Sequence, residues 1–142
     1  MGIFNIFKLK KELSLEKLLE KAAQEPSYRA DFYKRLLNEE LIVLTENSSL
    51  VNGKQILKED TEVNIVSFKN GEIPVFTTTD RIFDKNIIDK KVQFLQMKGL
   101  NLFELTKGAT LILNPYSDSG KEFLPTEIEK IIDGTIITEN HQ

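Results

Sequence analysis

The stretch from Leu102 to Ile132 constrains the fold more than any other part of the chain, because it predicts several secondary-structure elements with almost no spacer between them. Apolar side chains crowd one side of a short helical segment, and Gly108 follows where a left-handed helix end is favoured. Residues 109–113 are mostly apolar and suit a well-buried strand. Pro115 ends that strand because it has no backbone N–H, and residues 116–121 have the composition of a loop.

Amphipathic helices are predicted at both ends of the chain. Two of them precede all the strands: Ser14 is a favourable N-cap for the first, and Pro26 separates it from the second. Their apolar stripes are Leu15, Leu18, Leu19, Ala22 and Ala23, then Tyr28, Phe32, Tyr33, Leu36 and Leu37. A third helix is predicted behind a capping box of Thr126 and Glu129, and it stops at Gly134.

The strand signals predict an antiparallel arrangement. Asn70-Gly71 is a strong two-residue hairpin turn, and Pro74 in the following strand indicates an edge or a bulge. The predicted strands are 41–44, 63–68, 73–76, 92–95, 109–113 and a last edge strand at 135–138. We therefore expect a single α+β domain, with a mainly antiparallel or mixed sheet of about five strands. Two N-terminal helices and further short helices pack on it.

Composition excludes several classes of function. The 142 residues carry a net charge of −3, which argues against a nucleic-acid partner because phosphate contacts need a basic face. Cysteine is absent, which suits a reducing cytoplasm and removes thiolate chemistry. The only histidine is His141, so a Ser-His-Asp triad or a histidine metal site is not expected. We expect no metal, no cofactor and no enzymatic activity.

The N-terminal arm, residues 1–13, is interpreted separately from the domain at 14–142. Its apolar residues are followed by Lys8, Lys10 and Lys11. Three interpretations remain open: a helix that folds back on the domain or on a partner, a frayed tail, and an amphipathic anchor that places Met1–Lys11 on a membrane surface.

The loop at 114–122, NPYSDSGKE, is the most site-like segment, yet it fits no known ligand loop. A phosphate loop needs glycine where Pro115 stands and Ser or Thr where Glu122 stands. A calcium loop needs an oxygen ligand where Tyr116 stands. A Ser-Lys pair from Ser117 or Ser119 with Lys121 is conceivable, although nothing in the spacing demands it. The simplest interpretation is a structural turn.

Two segments in this order resemble a known family. They are PVFT at 74–77, with Arg81 close behind, and NPYSDSGKE at 114–122; the similarity extends over about 14–134. The chain resembles the SseB amino-terminal domain family, which is named for enhanced serine sensitivity. Tyr116 departs from the pattern, since the family usually has glycine there. The resemblance implies the fold but no catalytic residues and no cofactor, and the second domain of longer relatives is expected to be absent.

We therefore expect a binding or accessory module with a protein partner. The two family segments predict one candidate binding surface, made of Thr77, Thr78, Arg81, Asn114, Ser117 and Lys121. Arg81 and Lys121 would favour an anionic ligand or an acidic protein segment. The alternative is that Arg81 pairs with a nearby acid. The helix carboxylates Glu16, Glu20, Glu127 and Glu129 are expected to face solvent. A membrane-tethered interaction protein, or an enzyme of unknown reaction, remains the alternative function.

Overall fold

The computed structural model describes residues 13–46, 50–51, 54–55 and 64–139. Its helices are α1 (Leu15–Gln24), α2 (Arg29–Asn38), α3 (Thr79–Ile82), α4 (Gly99–Leu105), α5 (Pro125–Asp133) and α6 (Thr135–Glu139), with 3₁₀ turns at Pro26–Tyr28 and Asp84–Asn86. Its strands are β1 (Glu40–Thr45), β2 (Leu50–Val51), β3 (Lys54–Gln55), β4 (Ile73–Phe76), β5 (Gln93–Lys98), β6 (Leu111–Leu113) and β7 (Lys121–Phe123). This is the single α+β domain that the sequence predicts.

The sheet is mixed, with strand order β2-β3-β5-β1-β4-β6-β7. Five strands form the body of the sheet, in the order β5, β1, β4, β6 and β7. The two-residue strands β3 and β2 extend it beyond β5. β1 pairs antiparallel with both β5 and β4, β4 pairs parallel with β6, and β6 pairs antiparallel with β7. The parallel pair places the carboxyl ends of β4 and β6 at the same edge of the sheet.

The apolar side chains of β1 alternate between two clusters, as the period of a strand requires. Leu41 and Val43 face the larger cluster, which joins the sheet to α1, α2 and α5. Ile42 and Leu44 face a smaller cluster on the opposite side. β1 is thus buried on both faces, which explains its nearly continuous apolar sequence.

The helix predictions hold in outline. Ser14 caps α1, and its Oγ accepts the backbone N–H of Lys17 at 3.2 Å. α5 begins two residues earlier than predicted: Leu124 rather than Thr126 is its N-cap and Pro125 occupies its first turn, so the capping box does not form. Gly134 ends α5 in the left-handed conformation with φ of 83°, as predicted.

The predicted last strand at 135–138 is wrong, because these residues form α6. The carboxylate Oδ1 of Asp133 accepts the backbone N–H of Thr135 at 2.9 Å and its hydroxyl at 2.7 Å. This side-chain cap starts a new helix directly after Gly134 and directs Ile136 into the core.

Of the edge or bulge predicted at Pro74, the edge is wrong, since β4 lies between β1 and β6. Pairing between β4 and β1 stops where Val75 lies opposite Val43. The next carbonyl along β1, that of Leu44, accepts the N–H of Val66 at 2.9 Å. Pro74 has no N–H to offer that carbonyl, and the preceding segment supplies one instead.

Two further predictions are wrong in detail. Of the strand predicted at 63–68, the described part makes only an isolated bridge, between Ile65 and Thr45. The loop predicted at 116–121 is shorter than expected, because Lys121–Phe123 pairs with β6 as β7 and Phe123 is 1% exposed.

The residues of the N-terminal arm up to Glu12 lie outside the described residues, as does His141. The interpretations of Met1–Lys11 therefore stay predictions. Within the described residues, the helices are too short or too polar to cross a membrane.

Candidate functional site

Thr77 and Asn114 are the first residues beyond the carboxyl ends of β4 and β6. The register places Val75 opposite Leu113, so Thr77 and Asn114 lie next to each other just beyond this pair. The backbone N–H of Thr77 donates to Asn114 Oδ1 at 3.0 Å, and Asn114 Nδ2 donates to Thr77 Oγ1 at 3.0 Å. Asn114 is 2% exposed and has φ of 48°, a left-handed conformation that asparagine adopts more readily than most residues. The two strand ends are thus joined by side-chain hydrogen bonds.

Glu16 ties the first turn of α1 to these strand ends. Its Oε1 accepts from Thr77 Oγ1 at 2.6 Å and from Arg81 Nε at 2.8 Å, and its Oε2 accepts from Arg81 Nη2 at 3.0 Å. The hydrogen bond from Arg81 lowers the pKa of the Glu16 carboxyl, against the opposing effect of burial.

The prediction that Glu16 faces solvent is therefore wrong, since its side chain is 30% exposed. A signal for this was present in the sequence. Glu16 precedes Leu19 by three positions and Ala23 by seven, so it borders the apolar stripe of its helix rather than opposing it.

Arg81 is held by two carboxylates. Besides the two-pronged contact with Glu16, its Nη1 lies 3.2 Å from Asp84 Oδ2. Such paired, planar contacts are among the stronger hydrogen bonds in proteins. An added anion would have to displace one of the two acids, so Arg81 has the structural pairing that the sequence offered as the alternative to ligand binding.

Thr78 and Ser117 take part in hydrogen bonds within their own turns. Thr78 is exposed at the start of α3, and its carbonyl accepts the N–H of Arg81 at 3.2 Å. Ser117 Oγ donates to the carbonyl of Asn114 at 2.8 Å and accepts the N–H of Ser119 at 3.2 Å. The Ser117 hydroxyl therefore shapes the β6–β7 turn.

Gly120 explains the second family segment in physical terms. A Cβ at this position would lie 3.1 Å from the carbonyl oxygens of both Leu113 and Asn114. The backbone here is too close for most side chains, and glycine lets the chain turn back into β7. The segment is a tight turn built on the end of β6 and has no feature of a phosphate loop.

Three of the six predicted surface residues line one hollow. This acidic hollow, of about 190 Å³, lies between α1 and the β6–β7 turn and is lined by Glu16, Leu19, Glu20, Arg81, Asn114, Ser117, Asp118 and Ser119. Three of its lining residues are carboxylates and one is a cation. Glu20 and Asp118 are also paired, with Lys17 at 3.2 Å and Lys85 at 3.0 Å.

Lys121 lies in a second hollow. This basic hollow, of about 320 Å³, is lined by Leu19, Ala22, Ala23, Arg29, Phe32, Tyr33 and Lys121. Leu19 lines both hollows and separates them. The predicted surface is therefore divided, with Arg81, Asn114 and Ser117 on one side of Leu19 and Lys121 on the other.

The two cations of the basic hollow differ from Arg81 in their partners. Arg29 is exposed, and its Nε donates to the carbonyl of Ala22 at 3.1 Å. Lys121 Nζ lies 3.1 Å from Glu127 Oε2 and 4.8 Å from the ring centre of Phe123. Lys121 thus shares one carboxylate, whereas Arg81 takes two.

Glu127 is the second helix carboxylate that the sequence wrongly placed in solvent, since its side chain is 20% exposed. Its Oε2 also accepts the hydroxyl of Tyr33 at 2.8 Å. Burial, and then this hydrogen bond, raise the pKa of Tyr33, so the phenol stays protonated as a donor. Two lining residues of the basic hollow, Tyr33 and Lys121, are thus both bonded by Glu127.

Within the described ranges, no group of histidine or acidic residues is arranged to hold a metal ion. What the site residues offer is charge, hydrogen-bond donors and apolar surface, which are the components of recognition.

Comparison with known proteins gives sequence matches to one family. The model of the SseB protein N-terminal domain matches residues 15–130. The chain is 34% identical over 122 residues to Protein SseB of Escherichia coli strain K12 and equally to Protein SseB of Shigella flexneri. Each match covers 83% of this chain but 45% of the relative, so the chain spans less than half the length of these relatives. No solved structure gives a significant match. The chain belongs to the SseB N-terminal domain family.

Proposed function

We propose that this domain is a non-catalytic binding module that recognises an acidic segment of a partner protein at the basic hollow. The observation that carries the proposal is that two cations, Arg29 and Lys121, line the same hollow as an apolar floor. No carboxylate is among the described residues that line this hollow. An anionic group can therefore approach Arg29 without displacing an acid, and it shares Lys121 with Glu127.

The charge distribution supports the basic hollow over the surface around Arg81. In the acidic hollow the guanidinium is already bonded by Glu16 and Asp84, and further carboxylates would repel an acidic ligand. Among the described residues, Lys121 pairs with one carboxylate, that of Glu127, and the guanidinium Nη atoms of Arg29 make no hydrogen bond to them. Opposite charge and access to it coincide at the basic hollow.

The floor supports a protein segment rather than a bare ion. Leu19 and Ala23 offer apolar surface, the buried Ala22 and Phe32 complete the floor, and the volume of about 320 Å³ is at the small end of the range typical of ligand pockets. This space suits one apolar side chain flanked by acidic residues. Burial of that side chain adds affinity that salt does not screen.

The experiment is a titration with two fluorescent peptides that differ only in charge. In one, valine alternates with glutamate; in the other, valine alternates with lysine. Fluorescence anisotropy should show binding of the glutamate peptide alone, and the affinity should fall as salt rises, since screening acts over about 10 Å at 0.1 M salt.

The decisive variant is Arg29→Gln with Lys121→Gln, which should weaken binding by at least about tenfold, the loss of two charge-assisted contacts. Its control is Lys90→Gln with Lys91→Gln, which removes the same charge from an exposed loop and should bind like the unmodified protein. Equal weakening in both variants, or tighter binding of the lysine peptide, would show that the basic hollow is not the site.

A further inference from the structure

The outer edge of β7 adjoins the basic hollow. We propose that the acidic segment binds in an extended conformation, as an added strand along this edge, with one of its side chains in the hollow. This inference rests on the proposed function and adds to it the conformation of the partner and the backbone atoms that hold it.

The alternation of hydrogen bonds in the sheet identifies which backbone groups of β7 are free. The N–H of Ile73 donates to the carbonyl of Thr110 at 2.9 Å, and the N–H of Asn114 donates to that of Val75 at 2.7 Å. Residues 110, 112 and 114 therefore direct their backbone groups toward β4. The intervening residues, Leu111 and Leu113, direct theirs toward β7.

Leu111 lies opposite Phe123 and Leu113 lies opposite Lys121, so these are the hydrogen-bonded pairs between β6 and β7. Glu122, between them, consequently directs its N–H and carbonyl away from β6. Its carbonyl has one contact, with Lys121 Nζ at 3.5 Å, and its N–H has no partner from another element of the described chain. β7 ends the described sheet, so this N–H and carbonyl are available to an added strand.

The same edge opens onto the basic hollow. Along β7, Lys121 and Phe123 face the helix side of the sheet, and Glu122 faces the other side and is exposed. A strand added about 4.8 Å from β7 would also point alternate side chains to the helix side. One of them would enter the space beside Lys121 and Arg29, so backbone pairing and the hollow can be used together.

Charge selects the acidic partner for this edge. An acidic residue next to the anchoring side chain would lie within reach of the two cations. Because β7 is three residues long, it can pair with only a short segment. This limits unwanted pairing with longer strands of other proteins. The edge thus supplies orientation, while the hollow and its cations supply selectivity.

The test uses the valine–glutamate peptide and variants at Glu122. Glu122→Pro removes the outward N–H at an edge position that tolerates proline, and Glu122→Ala keeps the N–H while removing the carboxylate. Glu122→Pro should weaken the peptide by about three- to tenfold, the effect of one backbone hydrogen bond. Glu122→Ala should bind as well as the unmodified protein or better, because it removes a repulsive charge.

Two further measurements use the unmodified protein, so they test strand addition even if a Glu122 variant does not fold. A peptide N-methylated at alternate amides cannot pair with the edge, and it should bind the unmodified protein more weakly than the parent peptide. Amide exchange of Glu122 should slow when the parent peptide is added. If the parent peptide binds through Arg29 and Lys121 but N-methylation changes nothing and Glu122 stays unprotected, strand addition is wrong and the proposed function stands. If no binding depends on these cations, both are wrong.

Discussion

Arg81 and Lys121 are the two cations of the family segments, and the structure gives them opposite surroundings. Arg81 is bonded by Glu16 from α1 and by Asp84 from its own turn. Lys121 shares one carboxylate and faces an apolar hollow together with Arg29. The contacts of Arg81 hold α1, α3 and the following 3₁₀ turn together. The contacts of Lys121 leave its positive charge next to the open space of the basic hollow.

The comparison teaches that a cation near a strand end is not by itself a ligand site. Its availability depends on how many acids the fold brings to it, and one of the two acids on Arg81 comes from a distant part of the chain. Glu16 is 65 residues from Arg81 in sequence, so local spacing could not reveal the pair. The region around Arg81 is therefore expected to govern stability, and the region around Lys121 to govern binding.

The largest effect on stability is expected from Asn114→Ala. The change leaves the part-buried N–H of Thr77 without its acceptor and places alanine at a φ of 48°. We expect the free energy of unfolding to fall by about 2–4 kcal/mol, as measured by urea denaturation. Asn114→Gly relieves the backbone strain but not the missing hydrogen bond, so its loss should be smaller. Equal stability of Asn114→Ala and the unmodified protein would contradict the fastening role.

The next largest loss of stability is expected at Glu16, one of two acids of α1 that look alike in sequence. Glu16→Ala should cost about 1–2 kcal/mol, because it removes a part-buried, two-pronged contact with Arg81. Glu20→Ala removes only an exposed pair with Lys17 and should stay within about 0.5 kcal/mol. Thermal and urea unfolding of the two variants check this, and similar losses would remove the distinction between the two faces of α1.

Acid should weaken the fastening around Arg81 in a defined direction. The folded-state pKa of Glu16 lies below its ordinary value of 4.5, so its charge stabilises the fold above that pH. This contribution is lost as pH falls through the lowered pKa. The difference in unfolding free energy between the unmodified protein and Glu16→Gln should therefore be constant near neutrality and shrink below about pH 4.5. A difference that grows on acidification would contradict the assignment.

The smallest effect on stability is expected at the basic hollow. Lys121→Met keeps an unbranched side chain over Phe123, and Glu127 retains its hydrogen bond from Tyr33. The unfolding free energy should change by less than about 1 kcal/mol, while affinity for the valine–glutamate peptide falls. A large loss of stability with unchanged affinity would reverse the roles assigned to the two regions.

Local patterns were enough to predict most of the fold. Ser14, Gly134 and the apolar run 41–44 mark elements whose cause is short-range: a cap, a left-handed stop and a strand buried on both faces. Some errors arose where a distant partner decides. Pro74 is typical of an edge strand, yet β4 is internal because it pairs with both β1 and β6, and the N–H of Val66 bonds the Leu44 carbonyl to which proline has no N–H to donate.

The candidate site was only partly predictable for the same reason. The sequence singled out the two segments that meet at the strand ends, and Thr77 with Asn114 do meet. It could not show that Leu19 divides the surface or that Arg29, from a different helix, joins Lys121. Both depend on the packing of the α1–α2 pair against the sheet, which no local spacing encodes.

The central claim is that ligand-accessible positive charge lies at Arg29 and Lys121 rather than at Arg81. It is tested most directly by mapping backbone amide shifts of the full chain by NMR during titration with the valine–glutamate peptide. We expect the largest shifts around Ala22, Arg29, Tyr33 and Lys121–Phe123, with the amides of Thr78 and Arg81 nearly unchanged. Shifts centred on Thr78 and Arg81, with the basic hollow unaffected, would contradict it.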